Sequence, residues 1–292
     1  MIPFVEALAS RKILIADGAT GTELAARCEM TGPMTNLEHP ETVKAVHADY
    51  KAAGASIILT NTLSGNRIAL EHAGLTDRIL EINQLGVKLC REAVGDDRYV
   101  GGDMSSTGKF MEPLGDYTEQ QFYDNFVEQA ELLADSGVDF IIIETMTDVR
   151  ETAVAVRAVK AVSGLPVIAS ISFDPAASGA FRTMMGDTPE KAVAELTEAG
   201  ADVIGANCGT LDPCETASVI ADMRAHTDLP LIAMPNAGKP ELSAGQVMFK
   251  LSPEEFADGA IKCIEAGATI VGGCCGTTPA HIAALAKRVR TL

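Results

Sequence analysis

No run of this chain stays apolar for the roughly 20 residues that cross a membrane, which sets aside an integral membrane protein. The first residues, Met1-Ile2-Pro3-Phe4-Val5-Glu6, lack the basic flank and apolar core of a secretion signal. Basic charge is scarce: 23 lysines and arginines face 40 acidic residues, for a net charge of −17. That balance disfavours nucleic acid and membrane surfaces as partners, because both are bound largely through their phosphates. Disulfides are not expected either. Seven cysteines, one an odd leftover, do not make a framework in 292 residues, and a reducing cytoplasm is the expected home. Tryptophan is absent and aromatics amount to 4%, so an aromatic cage for a cation is not advertised. Linkers, low-complexity tracts and charge blocks are missing too, and the chain reads as one domain over 1–292.

What is present is an alternation. Eight short apolar runs, 13–17, 56–62, 99–104, 140–145, 166–173, 202–208, 230–236 and 269–275, are each followed by a longer helical pattern. The runs are nearly continuous in hydrophobicity, as in parallel strands buried on both faces. Helix starts are written out as Thr118-Glu119-Gln120-Gln121 and Ser252-Pro253-Glu254-Glu255, both capping boxes. This count and length predict an α/β protein, a (β/α)8 TIM barrel of a single domain. A doubly wound open sheet is the alternative, weakened because no G-x-G-x-x-G follows the first strand.

A faint repeat runs through the even strands. Gly54, Gly137, Gly200 and Gly267 each close a helix. Seven residues later come Asn61, Glu144, Asn207 and Cys274, and eight later Thr62, Thr145, Cys208 and Cys275. Polar groups thus recur at the carboxyl ends of alternate strands, the face that carries active sites in such barrels. Strand ends are generally more polar than strand middles, which accounts for asparagine and threonine but poorly for three cysteines and a glutamate. Two long segments, 103–117 and 234–251, read as loops over the same face.

The segment Gly272-Gly273-Cys274-Cys275-Gly276-Thr277-Thr278-Pro279 carries two adjacent thiols at a strand end. Neighbours on a regular strand point to opposite faces, so the preceding glycines are expected to let the chain curl and bring both thiols to one spot. Taken alone, that segment reads equally well as two small buried residues in a tight turn. Cys208 in Asn207-Cys208-Gly209 supplies a third thiol, and three protein ligands with an open position are the habit of catalytic zinc. None of the five histidines ends a strand, so a mixed His/Cys site is not expected; Cys28, Cys90, Cys214 and Cys263 read as packing residues. No lysine ends a strand, which argues against Schiff-base chemistry.

Three thiolates leave Zn2+ a weak Lewis acid toward water but suited to holding a further thiol ionised. Asp17 and Glu144, ending strands one and four, form a pair able to hold a substrate ammonium. The turn Gly18-Ala19-Thr20-Gly21-Thr22 offers backbone N–H groups to a carboxylate, with a plain helix cap as its bland reading. Asn236 is a candidate oxygen ligand to the metal when substrate is absent.

Asp17–Glu23, Leu59-Thr60-Asn61-Thr62, Asn207-Cys208-Gly209, Pro235-Asn236-Ala237-Gly238 and Gly272–Pro279 together resemble the homocysteine S-methyltransferase family, in the same order along the whole chain. The resemblance implies zinc on Cys208, Cys274 and Cys275 that activates homocysteine for methylation to methionine. It implies Asp17 and Glu144 on the substrate amine, and Asn236 near the metal. Pro235–Pro240 and Gly272–Pro279 are most similar to the homocysteine module of cobalamin-dependent methionine synthases. Such proteins continue into cobalamin modules, so methylcobalamin on a separate corrinoid protein is the expected donor. S-methylmethionine or betaine is the alternative donor, and a non-catalytic zinc-stapled module that docks a corrinoid protein is the third reading.

Overall fold

A computed structural model describes residues 1–10, 12–243 and 246–292. Among the described residues, eight parallel strands form one sheet. In chain order they are β1 (Leu14–Ile15), β2 (Ile57–Leu59), β3 (Tyr99–Met104), β4 (Phe140–Met146), β5 (Val167–Ile171), β6 (Val203–Asn207), β7 (Leu231–Met234) and β8 (Ala268–Val271). Each strand from β2 to β8 pairs with its predecessor or successor, and β8 pairs with β1 through Leu14↔Ile270 and Ile15↔Val271. A single parallel bridge, Ala16↔Ile57, joins β1 to β2 and closes the ring. Helices follow the strands on the outside, so the expected (β/α)8 barrel is the fold observed. No described helix is long and apolar enough to cross a membrane.

The helix ends obey local chemistry. Thr118, Asp212 and Ser252 complete capping boxes with Gln121, Glu215 and Glu255. The four glycines of the repeat all have positive φ, 104° at Gly54, 85° at Gly137, 99° at Gly200 and 113° at Gly267. Only glycine takes that conformation without strain, so the repeat marks four helix exits that feed β2, β4, β6 and β8.

Two apolar layers sandwich the sheet. Outside it the helices pack over a continuous core that includes Phe122, Phe126, Val154 and Phe256. Inside the ring lie Ile57, Tyr99, Phe140, Ile142, Ile168, Val203, Ile232 and Ile270. The short helix Phe4–Ala9 stoppers the amino end: the Phe4 ring stacks on Phe140 at 4.2 Å and meets Tyr99 edge-on at 5.1 Å. With the bottom plugged by hydrocarbon, polar side chains facing inward can gather only at the other end.

Side chains alternate along a strand, and the alternation fixes which ones reach that end. Tyr99 and Phe140 face inward, so Asp103 on β3 and Glu144 on β4 also face inward, four residues further on. By the same count Val203 leads to Asn207 at the end of β6.

The two long loops are partly ordered. Segment 105–118 is tied down by Glu151, which accepts from Ser106 Oγ (2.9 Å), Thr107 N (2.8 Å) and Thr107 Oγ1 (2.9 Å). Segment 234–251, expected as a loop, contains a small antiparallel hairpin, Glu241–Ser243 with Gln246–Met248; residues 244–245 lie outside the described residues. A second hairpin not foreseen, Asp174–Pro175 with Phe181–Arg182, follows β5.

Candidate metal centre

The sulfur atoms of Cys208, Cys274 and Cys275 all lie within 4.8 Å of one another. Cys208 Sγ and Cys275 Sγ are 3.8 Å apart. Zinc–thiolate bonds of about 2.3 Å at tetrahedral angles would set sulfurs about 3.8 Å apart, so the spacing fits that metal. A cavity of about 410 Å3 opens beside them, lined by Cys208, Cys274 and Cys275 together with Asp17–Thr22, Leu59–Asn61, Asp103, Glu144 and Thr145.

Cys208 and Cys274 arrive by different backbone devices. Cys208 sits just past β6 with φ of 58°, in the left-handed region that non-glycine residues rarely occupy. Thr145, at the matching register of β4, has φ of 59°. Strain of this kind collects at functional sites, where the surroundings hold it in place. The glycines before Cys274 act otherwise than expected. Neither has positive φ; what they provide is absence of bulk. A Cβ on Gly272 would stand 2.7 Å from Ala16 Cβ, and one on Gly273 would stand 2.5 Å from Thr277 Oγ1.

The segment after β7 stitches the cysteines together. Cys208 N donates to Met234 O at 3.3 Å, Cys274 N to Pro235 O at 2.8 Å, and Ala237 N to Cys275 O at 3.0 Å. Between them, Asn236 is 1% exposed and donates through Nδ2 to Gly209 O at 2.8 Å, while its Oδ1 is buried with no hydrogen-bond partner. A buried amide oxygen left without a partner, on the segment bonded to all three cysteines, fits a fourth, displaceable ligand to a cation.

Without a cation the thiols share their protons unevenly. Cys275 is pushed down to about 3 by the hydrogen bonds it receives from Cys208 and then Cys274. A bond from Cys274 lowers Cys208, but its bond to Cys275, burial and the Cys275 charge together carry it up to about 12. Cys274 is raised by its bonds to Cys208 and Cys275 and by burial. Without a cation the cluster therefore prefers a single negative charge, and a divalent cation would release the remaining protons.

The other expected site residues fall into two groups. Asp17, Gly18, Ala19, Thr20, Asn61 and Glu144 line the cavity. Asp17 Oδ2 accepts from Leu59 N at 2.9 Å and does not cap the helix Thr20–Cys28, which has no side-chain cap. The first N–H groups of that helix consequently lack intrahelical acceptors and border the cavity. Ala19 differs from expectation: its N–H is already given to Thr277 Oγ1 at 3.1 Å. Asn61 borders the cavity, but its amide donates to Gly32 O, Thr35 Oγ1 and Asn36 Oδ1.

Thr62 and Asn207 do not line the cavity. Thr62 is fully buried and donates to Asp103 O at 2.7 Å. Asn207 works as a bracket: Oδ1 accepts from Ser170 Oγ (2.6 Å) and Thr145 N (2.9 Å). Its Nδ2 donates to Thr145 Oγ1 at 2.8 Å and lies 3.5 Å from Glu144 Oε2 and 3.8 Å from Cys274 Sγ.

Sequence reasoning passed over Asp103, which lines the same cavity and is 6% exposed. The even-strand repeat could not show a residue on β3. Counting inward positions from Tyr99, as from Phe140 to Glu144, would have found it. Burial raises Glu144 to about 7, helped by the charge on Cys275. Asp17 and Asp103 stand well above the usual carboxylate range, chiefly through burial and then through their acidic neighbours; the Leu59 N–H partly offsets the rise at Asp17. Three buried acids crowd one chamber, which calls for a cationic guest.

Residues 14–289 match the sequence model of the family described as homocysteine S-methyltransferase. The methionine synthase of Mycobacterium tuberculosis (strain ATCC 25618 / H37Rv) is 31% identical over 304 aligned residues, covering 97% of this chain and 25% of that protein. Its counterpart in Mycobacterium leprae (strain TN) is also 31% identical, over 98% of this chain and 25% of its own length. The chain thus spans about a quarter of the length of these relatives. Among solved structures, the metallated form of the homocysteine methyltransferase MmuM from Escherichia coli superposes with a TM-score of 0.78 at 28% identity, covering 98% of this chain and 99% of that one.

Proposed function

The chain belongs to the homocysteine S-methyltransferase family, and from that premise we propose that it methylates the thiol of homocysteine to give methionine, using zinc on Cys208, Cys274 and Cys275. The observation that carries this reading is the convergence of three sulfurs, within 4.8 Å of one another, on a cavity whose walls are acidic. Zinc bound there would keep a substrate thiol in its ionised, nucleophilic form near neutral pH.

The protein's own groups bind and aim the substrate. Glu144 and Asp17 take the ammonium, and the uncapped start of Thr20–Cys28 takes the carboxylate through its free N–H groups. Asn207 bridges Thr145 and Glu144 and reaches toward Cys274, so the amine subsite and the thiol subsite share one rigid connection. Asn236 Oδ1 would be the further protein ligand to the metal while substrate is away. In the transfer step the sulfur forms a bond to the methyl carbon as the donor–carbon bond breaks, and that bond's electron pair stays with the donor. In-line approach needs the donor held about 3–3.5 Å from the sulfur.

The donor we assign is a methyl-corrinoid carried by another protein. No aromatic side chain lines the cavity among the described residues, which disfavours a cage for a small methylated cation. The surrounding loops carry exposed Phe110, Leu114, Met184, Leu242 and Val247, a rim suited to a broad apolar partner. The acidic walls favour a second reading, in which S-methylmethionine or betaine enters directly. The assay is methionine formation by zinc-loaded protein with a panel of donors. Faster turnover with a methylated corrinoid protein than with free methylcobalamin, S-methylmethionine or betaine supports the first reading. Faster turnover with a small cation replaces the donor, and no methionine with any of them removes the function.

A further inference from the structure

Asp103 has no part in the scheme above, yet it is the acid with the least to hold it in place. It is 6% exposed, and its Oδ1 is buried with no hydrogen-bond partner among the described residues. Its neighbours are differently provided. Asp17 Oδ2 accepts from Leu59 N, and Glu144 lies near the Asn207 amide. The backbone of Asp103 is anchored on both sides: its N–H donates to Thr60 Oγ1 at 3.0 Å and its carbonyl accepts from Thr62 Oγ1 at 2.7 Å. Asp103 therefore lines the cavity from a fixed strand, with one of its carboxylate oxygens left without a donor. A buried acceptor without a donor is costly, and one carried by a residue of a cavity wall calls for an explanation.

We propose that Asp103 is a third acceptor for the substrate ammonium, completing with Asp17 and Glu144 a site built for a primary amine. An ammonium carries three N–H donors and no acceptor, and three separate carboxylates line this chamber. One bond to each satisfies every N–H and leaves none of the acids without a donor. The thiol end of the substrate is recognised by the cysteines whatever its amine, so Asp103 acts on selection of the guest and not on activation of sulfur. A thiol lacking the amino group brings no donor to Asp103, and its entry leaves the carboxyl groups unpaired. The acidic trio thereby becomes a filter against simple thiols, which any soft-metal site would otherwise accept. Burial and the charges of Glu144 and Asp17 raise the Asp103 carboxyl, and an ammonium placed among the three acids opposes that rise.

The inference rests on the homocysteine reading, and the test separates the two. Dissociation constants are measured by calorimetry on zinc-loaded protein for homocysteine, for 3-mercaptopropylamine, which keeps the amine alone, and for 4-mercaptobutyrate, which keeps the carboxylate alone. The parent should prefer homocysteine to 4-mercaptobutyrate; equal binding defeats the homocysteine reading itself. Asp103→Asn should weaken homocysteine and 3-mercaptopropylamine by roughly tenfold or more, and 4-mercaptobutyrate by less than about twofold. Zinc content and thermal unfolding establish that the variant is intact, and Asp103→Ser takes its place in the same comparison should the asparagine form not accumulate. A parent that selects homocysteine while the Asp103 variant keeps the whole of that selectivity overturns the role of Asp103. An equal loss for all three thiols does so too, since that is the mark of a merely structural side chain.

Discussion

Asn236 Nδ2 donates to the carbonyl of Gly209 at 2.8 Å, and this bond decides which end of the amide is left over. The left-over end is an oxygen, buried and without a partner, on the segment to which Cys208, Cys274 and Cys275 are all hydrogen-bonded. Asn236→Ala should therefore lower zinc affinity by about tenfold in the absence of homocysteine. With homocysteine saturating, the difference should shrink, because the thiol takes over that contribution. Competition against a chelating dye, with and without substrate, measures both values; an unchanged affinity in each case removes Asn236 from the metal.

Serine at Cys208, Cys274 or Cys275 should each release most of the zinc and abolish most turnover. The three cysteines are half-buried at the barrel mouth and lie outside the apolar clusters, so folding stability should change by no more than about 1 kcal/mol. Metal content and denaturant unfolding of each variant check this together. A serine variant with full zinc is not missing a ligand.

Glu144 gives the metal-free protein a particular pH dependence. Its carboxyl sits at about 7 in the fold against 4.5 in the unfolded chain. Between those values the native state keeps a proton that the unfolded state has lost, so stability falls as pH rises from 4.5 and levels off above about 7. The shift corresponds to about 3 kcal/mol over the window. Glu144→Gln should flatten that slope. Unfolding midpoints of parent and variant at intervals from pH 4 to 8 provide the measurement, and parallel curves contradict the assignment.

How much of this was legible depends on which residues carried a period. The eight strands showed as apolar runs, and the glycines that end helices set a count that led to Glu144, Asn207, Cys208, Cys274 and Cys275. The count marks position along a strand, not the direction of a side chain. It therefore grouped Thr62 with the site, although that hydroxyl is spent on the Asp103 carbonyl, and it missed Asp103, which stands on an odd strand. Ala19 misled for another reason: its amide is taken by Thr277, 258 residues away, a contact no local pattern announces. The hairpin at Glu241–Met248 was hidden because it packs little apolar surface; Leu242 and Val247 remain exposed.

Thr145 offers a test of strain. Its φ of 59° is poorly suited to a β-branched residue, while its Oγ1 accepts from Asn207 at 2.8 Å. Thr145→Gly should relieve about 1 kcal/mol or more of backbone strain and lose about 1 kcal/mol of hydrogen bonding, leaving stability nearly unchanged. Homocysteine KM should nevertheless rise severalfold, because Asn207 loses a partner that steadies it against Glu144. Steady-state kinetics beside thermal unfolding would show the split. A variant as stable as the parent with unaltered KM means that the bracket does not position the amine subsite.

X-ray absorption at the zinc edge, recorded before and after addition of homocysteine, tests the account most directly. It predicts three sulfur neighbours and one oxygen or nitrogen neighbour in the resting protein, changing to four sulfurs when homocysteine is added. 4-Mercaptobutyrate at the same concentration should leave the resting spectrum largely in place. A site with four sulfur neighbours from the start, or one whose coordination ignores homocysteine at saturating concentration, would contradict the claim that these three cysteines hold zinc to receive the substrate thiol.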